Sequence, residues 1–198
     1  MKKEIIAATH NKNKIIEFER ILRPKGITVL PPPDPEFLKT ILENGETFEE
    51  NALIKARALF QKTGRTVLAD DSGLCVDALG GAPGIYSARY LGEETPYHSK
   101  MAGILNEIAG ISDHLRTARF KCAIAVVGPV GERTFSGEWE GLIGHEPKGG
   151  NGFGYDPIFY VGDRSFSELS DGEKDEISHR AKAMMAMCSE IENLISFD

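Results

Sequence analysis

Short apolar runs alternate with amphipathic stretches along the first third of the chain. Residues 4–9 (EIIAAT) form a brief apolar run that predicts a buried strand. After a polar stretch, Ile15, Ile16, Phe18, Ile21 and Leu22 recur at spacings that fit one face of a helix over 14–22. Pro24 and Gly26 end it, because neither continues a helical pattern. Residues 27–30 predict a second strand, stopped by Pro31-Pro32-Pro33. Thr47, with Glu50 three positions on, reads as a capping box opening a helix that runs to Thr63-Gly64. Residues 66–70 (TVLAD) predict another short buried strand, ending at Asp70-Asp71-Ser72-Gly73.

The middle of the chain changes character. A glycine-rich loop at 80–84 precedes a helix expected over 97–109. Two long β runs, 117–127 and 132–143, flank Gly128-Pro129-Val130-Gly131 and predict a hairpin. A glycine-dense loop leads to an apolar strand at 158–161, and a long helix is expected over 178–197. Met184, Met185 and Met187 on that helix read as core or subunit contacts. Helices and strands that interleave before a hairpin intrudes imply a mixed α/β sheet rather than a purely parallel one.

Length and composition narrow the class. With 198 residues, at about 150 per domain, the chain is expected to form a single domain over 1–198, or two lobes sharing a core. Hydrophobic residues at 41% and charged residues at 27% exclude wholesale disorder. The 30 acidic against 23 basic residues leave a net charge of −7, which argues against wrapping a nucleic acid polymer. A small anionic ligand stays open, because a local cluster of cations can oppose the global charge. Cys75, Cys122 and Cys188 are scattered and show no CxxC pairing, which reads as free thiols in a reducing compartment. The apolar run near the start is too short for a signal peptide, and no run approaches the ~18 apolar residues of a membrane span. A cytoplasmic location without membrane partners is expected.

Five residue groups could carry chemistry. Thr9, His10, Asn11, Lys12, Asn13 and Lys14 lie between a strand and a helix start, where free N–H groups and the helix dipole favour phosphate; a polar loop with an Asn cap is the plainer reading. Glu43, Glu46, Glu49 and Glu50, with Asp70 and Asp71, supply carboxylates of the kind Mg²⁺ uses beside substrate phosphates. Carboxylates at the end of a buried strand stand at the usual ligand crevice of an α/β sheet, although Asp, Ser and Gly are also plain turn formers. Asn51 and Lys55 share a helix face, which solvent alone would explain. The run 149–157 has four glycines in six residues, with Phe153 and Tyr155 available to stack on a base or to fill a core. Lys174, His179 and Arg180 put donors at a helix start that repels cations, with Ser178 as the expected cap. There is no Walker A loop, HExxH, GxSxG or DxD motif. Each group is ambiguous alone; together, phosphate donors, carboxylates, a stacking loop and base-edge donors describe a nucleoside triphosphate site.

Several long ordered motifs then carry a resemblance: ATHNKNKIIEF, ENGETFEENALIKARA, VLADDSGLCVDALGGAPGIYSARY, NGFGYDPIF and EKDEISHRAKA. They cover nearly the whole chain, which resembles the inosine triphosphate pyrophosphatase family acting on non-standard purine nucleoside triphosphates. The resemblance implies an elongated mixed β-sheet flanked by helices, in two lobes with a central substrate cleft. It implies Mg²⁺-dependent cleavage of ITP, dITP or XTP to the monophosphate and pyrophosphate, by a homodimer. By motif, Thr9 to Lys14 looks like the phosphate loop, and Glu43 and Asp71 like metal ligands, Asp71 also being the general base. Lys55 looks like a catalytic phosphate contact and Ser72 like a substrate contact. Phe153, Gly154, Tyr155, Asp156, Lys174, His179 and Arg180 look like the base pocket, where donor-only groups would accept a C6 carbonyl and reject the adenine amine. Two alternatives remain beside this reading: a pyrophosphatase of related fold acting on other modified nucleotides, and a nucleotide-binding module without catalysis.

Overall fold

The computed structural model describes residues 3–191. Seven strands form one mixed sheet in the order β2-β1-β3-β4-β5-β6-β7. The first three are β1 (Lys3–Ala7), β2 (Ile27–Leu30) and β3 (Val67–Val76). β1 pairs in parallel with β2 and, through Ile6 and Ala7, with β3 at Val67 and Leu68. β4 (Thr117–Gly128) and β5 (Gly131–Ile143) are joined by two residues, as the hairpin reading expected. β6 (Phe159–Val161) and β7 (Arg164–Ser165) complete the sheet with antiparallel pairings.

The chain gathers into two compact units. Among the described residues, one comprises 3–71, 122–137 and 180–191, the other 72–121 and 138–179. The first unit is a three-layer sandwich whose logic is strand alternation. Ile5, Ala7, Leu68, Cys122, Ile124 and Val126 pack on one face with α1 (Lys12–Leu22) and α6 (His179–Glu190). Ile6, Ala8, Val67, Ala69, Ala123 and Ala125 take the opposite face, against α2 (Pro35–Lys39) and α3 (Phe48–Thr63). The second unit packs α4 (Tyr97–Glu107) through Met101 and Ile104 onto Leu74, Phe120, Phe159 and Phe166.

Helix ends follow local chemistry. Asn11 caps α1, accepting from Asn13 N–H and Lys14 N–H; Thr47 caps α3, and Gly64 closes it at φ +66°. The Glu50 carboxylate, expected to close a capping box on Thr47, reaches the Glu46 N–H instead, at 2.6 Å.

Two sequence expectations need correction. β3 does not end at Asp70; it continues through Asp71, Ser72 and Gly73 to Val76. Both aspartates find side-chain partners, so they interrupt nothing, and Leu74 and Val76 bury fully beyond them. The expected helix from Ser178 is preceded by a separate one, α5 (Asp171–Ile177), with its own capping box at Ser170 and Glu173. Ser178 sits between the two with extended backbone, at ψ 154°. Residues 192–197 of the expected helix lie outside the described residues. Met184 and Met187 are core, whereas Met185 is exposed. Among the described residues no helix is long and apolar enough to cross a membrane.

Candidate active site

Strand alternation sends adjacent Asp70 and Asp71 to opposite faces of the sheet. Asp70 follows the face of Leu68, towards α1 and α6. Asp71 follows the face of Ala69, towards α3. The parallel ladder from β1 has run out just before them, so the carboxylates still stand at its C-terminal end.

On the first face Asp70 is fully buried within a cluster of charges. Its Oδ2 accepts from Arg180 Nε at 3.0 Å and from Cys122 Sγ at 3.0 Å, and its Oδ1 is ion-paired with Lys14 Nζ. Arg180, whose side chain is 3% exposed, also donates to Glu17 Oε2 at 2.5 Å. Burial opposes ionisation of Asp70, but Arg180 and Lys14 outweigh it and hold the carboxyl well below its usual range. Asp70 and Glu17 raise Arg180 despite burial, while the Cys122 thiol is pushed well up by burial and by Asp70.

On the second face Lys55 Nζ donates to Glu43 Oε2 at 2.8 Å and to Asp71 Oδ1 at 3.0 Å. Burial would pull Lys55 down, but Asp71 and Glu43 outweigh it and raise its pKa. Burial raises Asp71, with Glu43 adding to the rise and Lys55 and Lys14 only partly opposing it. Asp71 Oδ2 is buried and accepts no hydrogen bond. Two neighbouring aspartates are thus driven apart: one is a fixed anion, the other a more basic carboxylate, the usual signature of distinct roles.

The loop ahead of α1 is compact. Thr9 Oγ1 accepts from Asn11 N–H at 3.1 Å, and Asn11 Oδ1 takes Asn13 N–H at 3.0 Å. His10, Lys12 and Asn13 are exposed, while Lys14 turns inward to Asp70.

In the second unit, Lys174 Nζ donates to Asp156 Oδ2 at 2.7 Å, with both side chains 6% exposed. The same oxygen accepts from Phe153 N–H at 2.9 Å. Gly152, at φ +77°, lies so close that a Cβ there would fall 2.2 Å from Asp156 Oδ2. The half-buried Phe153 ring has Lys174 Nζ 5.4 Å from its centre. Of its two readings, Tyr155 takes the core one. It is 3% exposed, donates to Ser87 O at 2.9 Å and meets Tyr97 edge-on, so it belongs to the core. His179 is buried and stacks on Phe120, with ring centres 4.8 Å apart. Gly154 and Ser72 are half-buried.

The sequence reading missed Glu17 and the anchoring role of Asp70. It also treated Lys174 and Arg180 as bare donors, whereas each meets buried carboxylates. A buried cation without such partners would cost several kcal/mol. The partners lie 18 positions from Lys174, and 110 and 163 from Arg180, so no local motif announces them. Strand alternation through 67–71 was the available signal for Asp70.

The donor set suits a hard divalent cation. Among the described residues no three His, Cys, Asp or Glu side chains gather as a metal cage. Mg²⁺ needs none, since it is held by one or two carboxylates together with phosphate oxygens and water. Glu43 and Asp71, joined through Lys55, could hold such an ion, and Asp71 Oδ2 has no hydrogen-bond partner.

Known proteins match this arrangement across nearly its full length. Residues 5–190 match the profile of the Ham1 family. A dITP/XTP pyrophosphatase of Bacillus licheniformis is 50% identical over 185 residues, covering 92% of this chain and 94% of its own. A dITP/XTP pyrophosphatase of Bacillus subtilis is 48% identical over 193 residues, covering 96% and 98%. The solved structure of the Staphylococcus aureus Ham1 protein superposes with a TM-score of 0.84 at 40% identity, covering 96% of this chain and 99% of that one. With its motifs, its sheet and almost all of its length accounted for in this way, the chain belongs to the Ham1 family.

Proposed function

We propose that this protein hydrolyses non-standard purine nucleoside triphosphates, ITP, dITP and XTP, to the nucleoside monophosphate and pyrophosphate, clearing them from the nucleotide pool. The observation that carries the chemistry is Asp71: a buried carboxylate raised by its surroundings, bonded to Lys55 through one oxygen and without a partner on the other. The substrate class rests on relatives of 48–50% identity that bear the name dITP/XTP pyrophosphatase.

Each residue has a task in this reading. Asp71 accepts the proton of the water that attacks the phosphorus. Lys55 holds Asp71 and Glu43 in place and opposes the charge that develops on the phosphates. Thr9 to Lys14 receives the phosphate chain at the start of α1, where the helix dipole favours anions although Asn11 already takes the Asn13 and Lys14 N–H groups. Glu43 and Asp71 would hold Mg²⁺, which when bound supplies further neutralisation of phosphate charge. Ser72 contacts substrate next to the base.

For the purine, Phe153 offers a ring face and Lys174, fixed by Asp156, a donor-only group for a C6 carbonyl. Gly154, Tyr155 and His179 shape that pocket by packing. Arg180, held between Asp70 and Glu17, is assigned instead to anchoring Asp70. An adenine amine would leave such donors mispaired, a mismatch that costs up to ~10⁴-fold in sites of this kind. The protein is further proposed to act as a cytoplasmic homodimer, which light scattering on the purified chain would check.

The deciding experiment is a Mg²⁺-dependent assay across ITP, dITP, XTP, GTP and ATP that identifies both products. Pyrophosphate and monophosphate from the first three, with little turnover of the last two, is the expected result. Release of orthophosphate and a nucleoside diphosphate would overturn the proposed cleavage, and binding without turnover would favour a non-catalytic module.

A further inference from the structure

Glu43 lies in the segment that leads into α3, and that segment is tied to the helix at two points. Gly45 N–H donates to Asn51 Oδ1 at 2.9 Å, and Glu46 N–H donates to Glu50 Oε2 at 2.6 Å. Asn51 is fully buried, an uncommon place for an amide. One helical turn further on, the same face carries Lys55, which bonds Glu43 and Asp71. The approach of loop to helix is close. A Cβ on Gly45 would lie 2.7 Å from Glu50 Cβ and 2.9 Å from Asn51 Oδ1, so only glycine fits there without a shift.

Because Gly45 N–H is a donor, the amide atom facing it must be Oδ1, which fixes how the side chain is turned. Asn51 Nδ2 is then buried with no hydrogen-bond partner. A leucine of similar size would fill the space without stranding a donor. The position therefore bears a cost for its acceptor, and that acceptor serves one group, the backbone two residues beyond Glu43.

We propose that Asn51 is a positioning residue: its side-chain carbonyl, through Gly45 N–H, sets the loop so that Glu43 and Asp71 converge on one divalent cation. It acts through Glu43 and not on the nucleotide. This rests on the reading of Glu43 and Asp71 as metal ligands.

The test is Mn²⁺ binding to the full-length, nucleotide-free protein, followed by electron paramagnetic resonance of the unbound ion. Asn51→Leu is expected to weaken Mn²⁺ binding roughly fivefold, the scale of one lost hydrogen bond. The Mg²⁺ concentration for half-maximal rate should rise by the same factor, with kcat at saturating metal much less affected. Asn51→Asp keeps an acceptor for Gly45 and should bind Mn²⁺ at least as tightly as the parent. Gly45→Ala disturbs the same contact with Asn51 intact, and decides the matter if Asn51→Leu does not fold. Its Mn²⁺ binding should weaken likewise. Binding within about twofold of the parent in the folded Leu variant, or in the Ala variant, would overturn the proposal. So would an Asp variant as weak as the Leu variant. Glu43→Gln separates the two layers of argument. If Mn²⁺ binding survives it, the metal-ligand reading fails; if binding is lost there but kept in Asn51→Leu, only the role of Asn51 fails.

Discussion

Replacing Asp70 by asparagine and, separately, Asp71 by asparagine should move stability in different directions, although the residues are adjacent and chemically identical. In the Asp70 cluster Lys14 and Arg180 both pair with Asp70, and Arg180 also with Glu17. Asp70→Asn takes from Lys14 and Arg180 the anion they share in a buried site and turns an amide donor towards donors. Breaking a buried pair by removing one partner costs about 3–5 kcal/mol. For a chain of this length, 1 kcal/mol corresponds to about 2–4 °C, so Tm should fall by about 6–20 °C. Asp71 is raised above its ordinary value, first by burial, so its ionised form weakens the fold at neutral pH. Asp71→Asn removes that penalty, and Tm should hold or rise. The pH dependence has a definite sign. Asp70 is depressed in the fold, so its contribution is complete above the unfolded carboxylate value of about 4 and is lost as pH falls towards the folded value. The gap between parent and Asp70→Asn should be constant above about pH 5 and close at lower pH. Thermal and urea unfolding of parent and both variants between pH 3 and pH 8 measures all of this. An Asp70→Asn Tm within about 3 °C of the parent, or an equal loss in Asp71→Asn, would refute the charge accounting.

Asp71→Asn should also lower kcat for dITP by about 10²–10⁴-fold, as loss of a general base does, while circular dichroism stays that of the parent; a rate within about threefold would remove Asp71 from that role. Arg180→Ala should destabilise on the same scale as Asp70→Asn, and the double variant should lose clearly less than the sum of the two in urea titrations; additive losses would mean the pair is not coupled. Gly152→Ala, which places a methyl 2.2 Å from Asp156 Oδ2 and 3.1 Å from Lys174 Nζ at φ +77°, should displace that pair. The preference for ITP over ATP in kcat/KM should then fall by about tenfold or more, and an unchanged ratio would separate the pair from base recognition.

Local patterning along the chain was enough to set out most of the framework. The 3.6-residue spacing of Ile15, Phe18 and Leu22 marked α1, and Thr47 with Gly64 marked both ends of α3. The segment Gly128-Pro129-Val130-Gly131 between two long β runs marked the β4–β5 hairpin. These features depend on interactions within a few residues, which sequence spacing reports directly. The motif pattern likewise picked out Asp71, Lys55 and Glu43, and the tertiary structure joins them through the Lys55 ammonium. What it could not reveal was how Asp70 differs from Asp71. That difference depends on whether β3 continues past them, and on which helix covers each face of the sheet. Arg180 illustrates the same limit. Its charge at a helix start was visible, but the carboxylates that neutralise it come from α1 and β3. Coulombic and desolvation energies act between groups brought together by folding, so the sequence supplied the charged groups and the tertiary packing decided which became anchors and which a base.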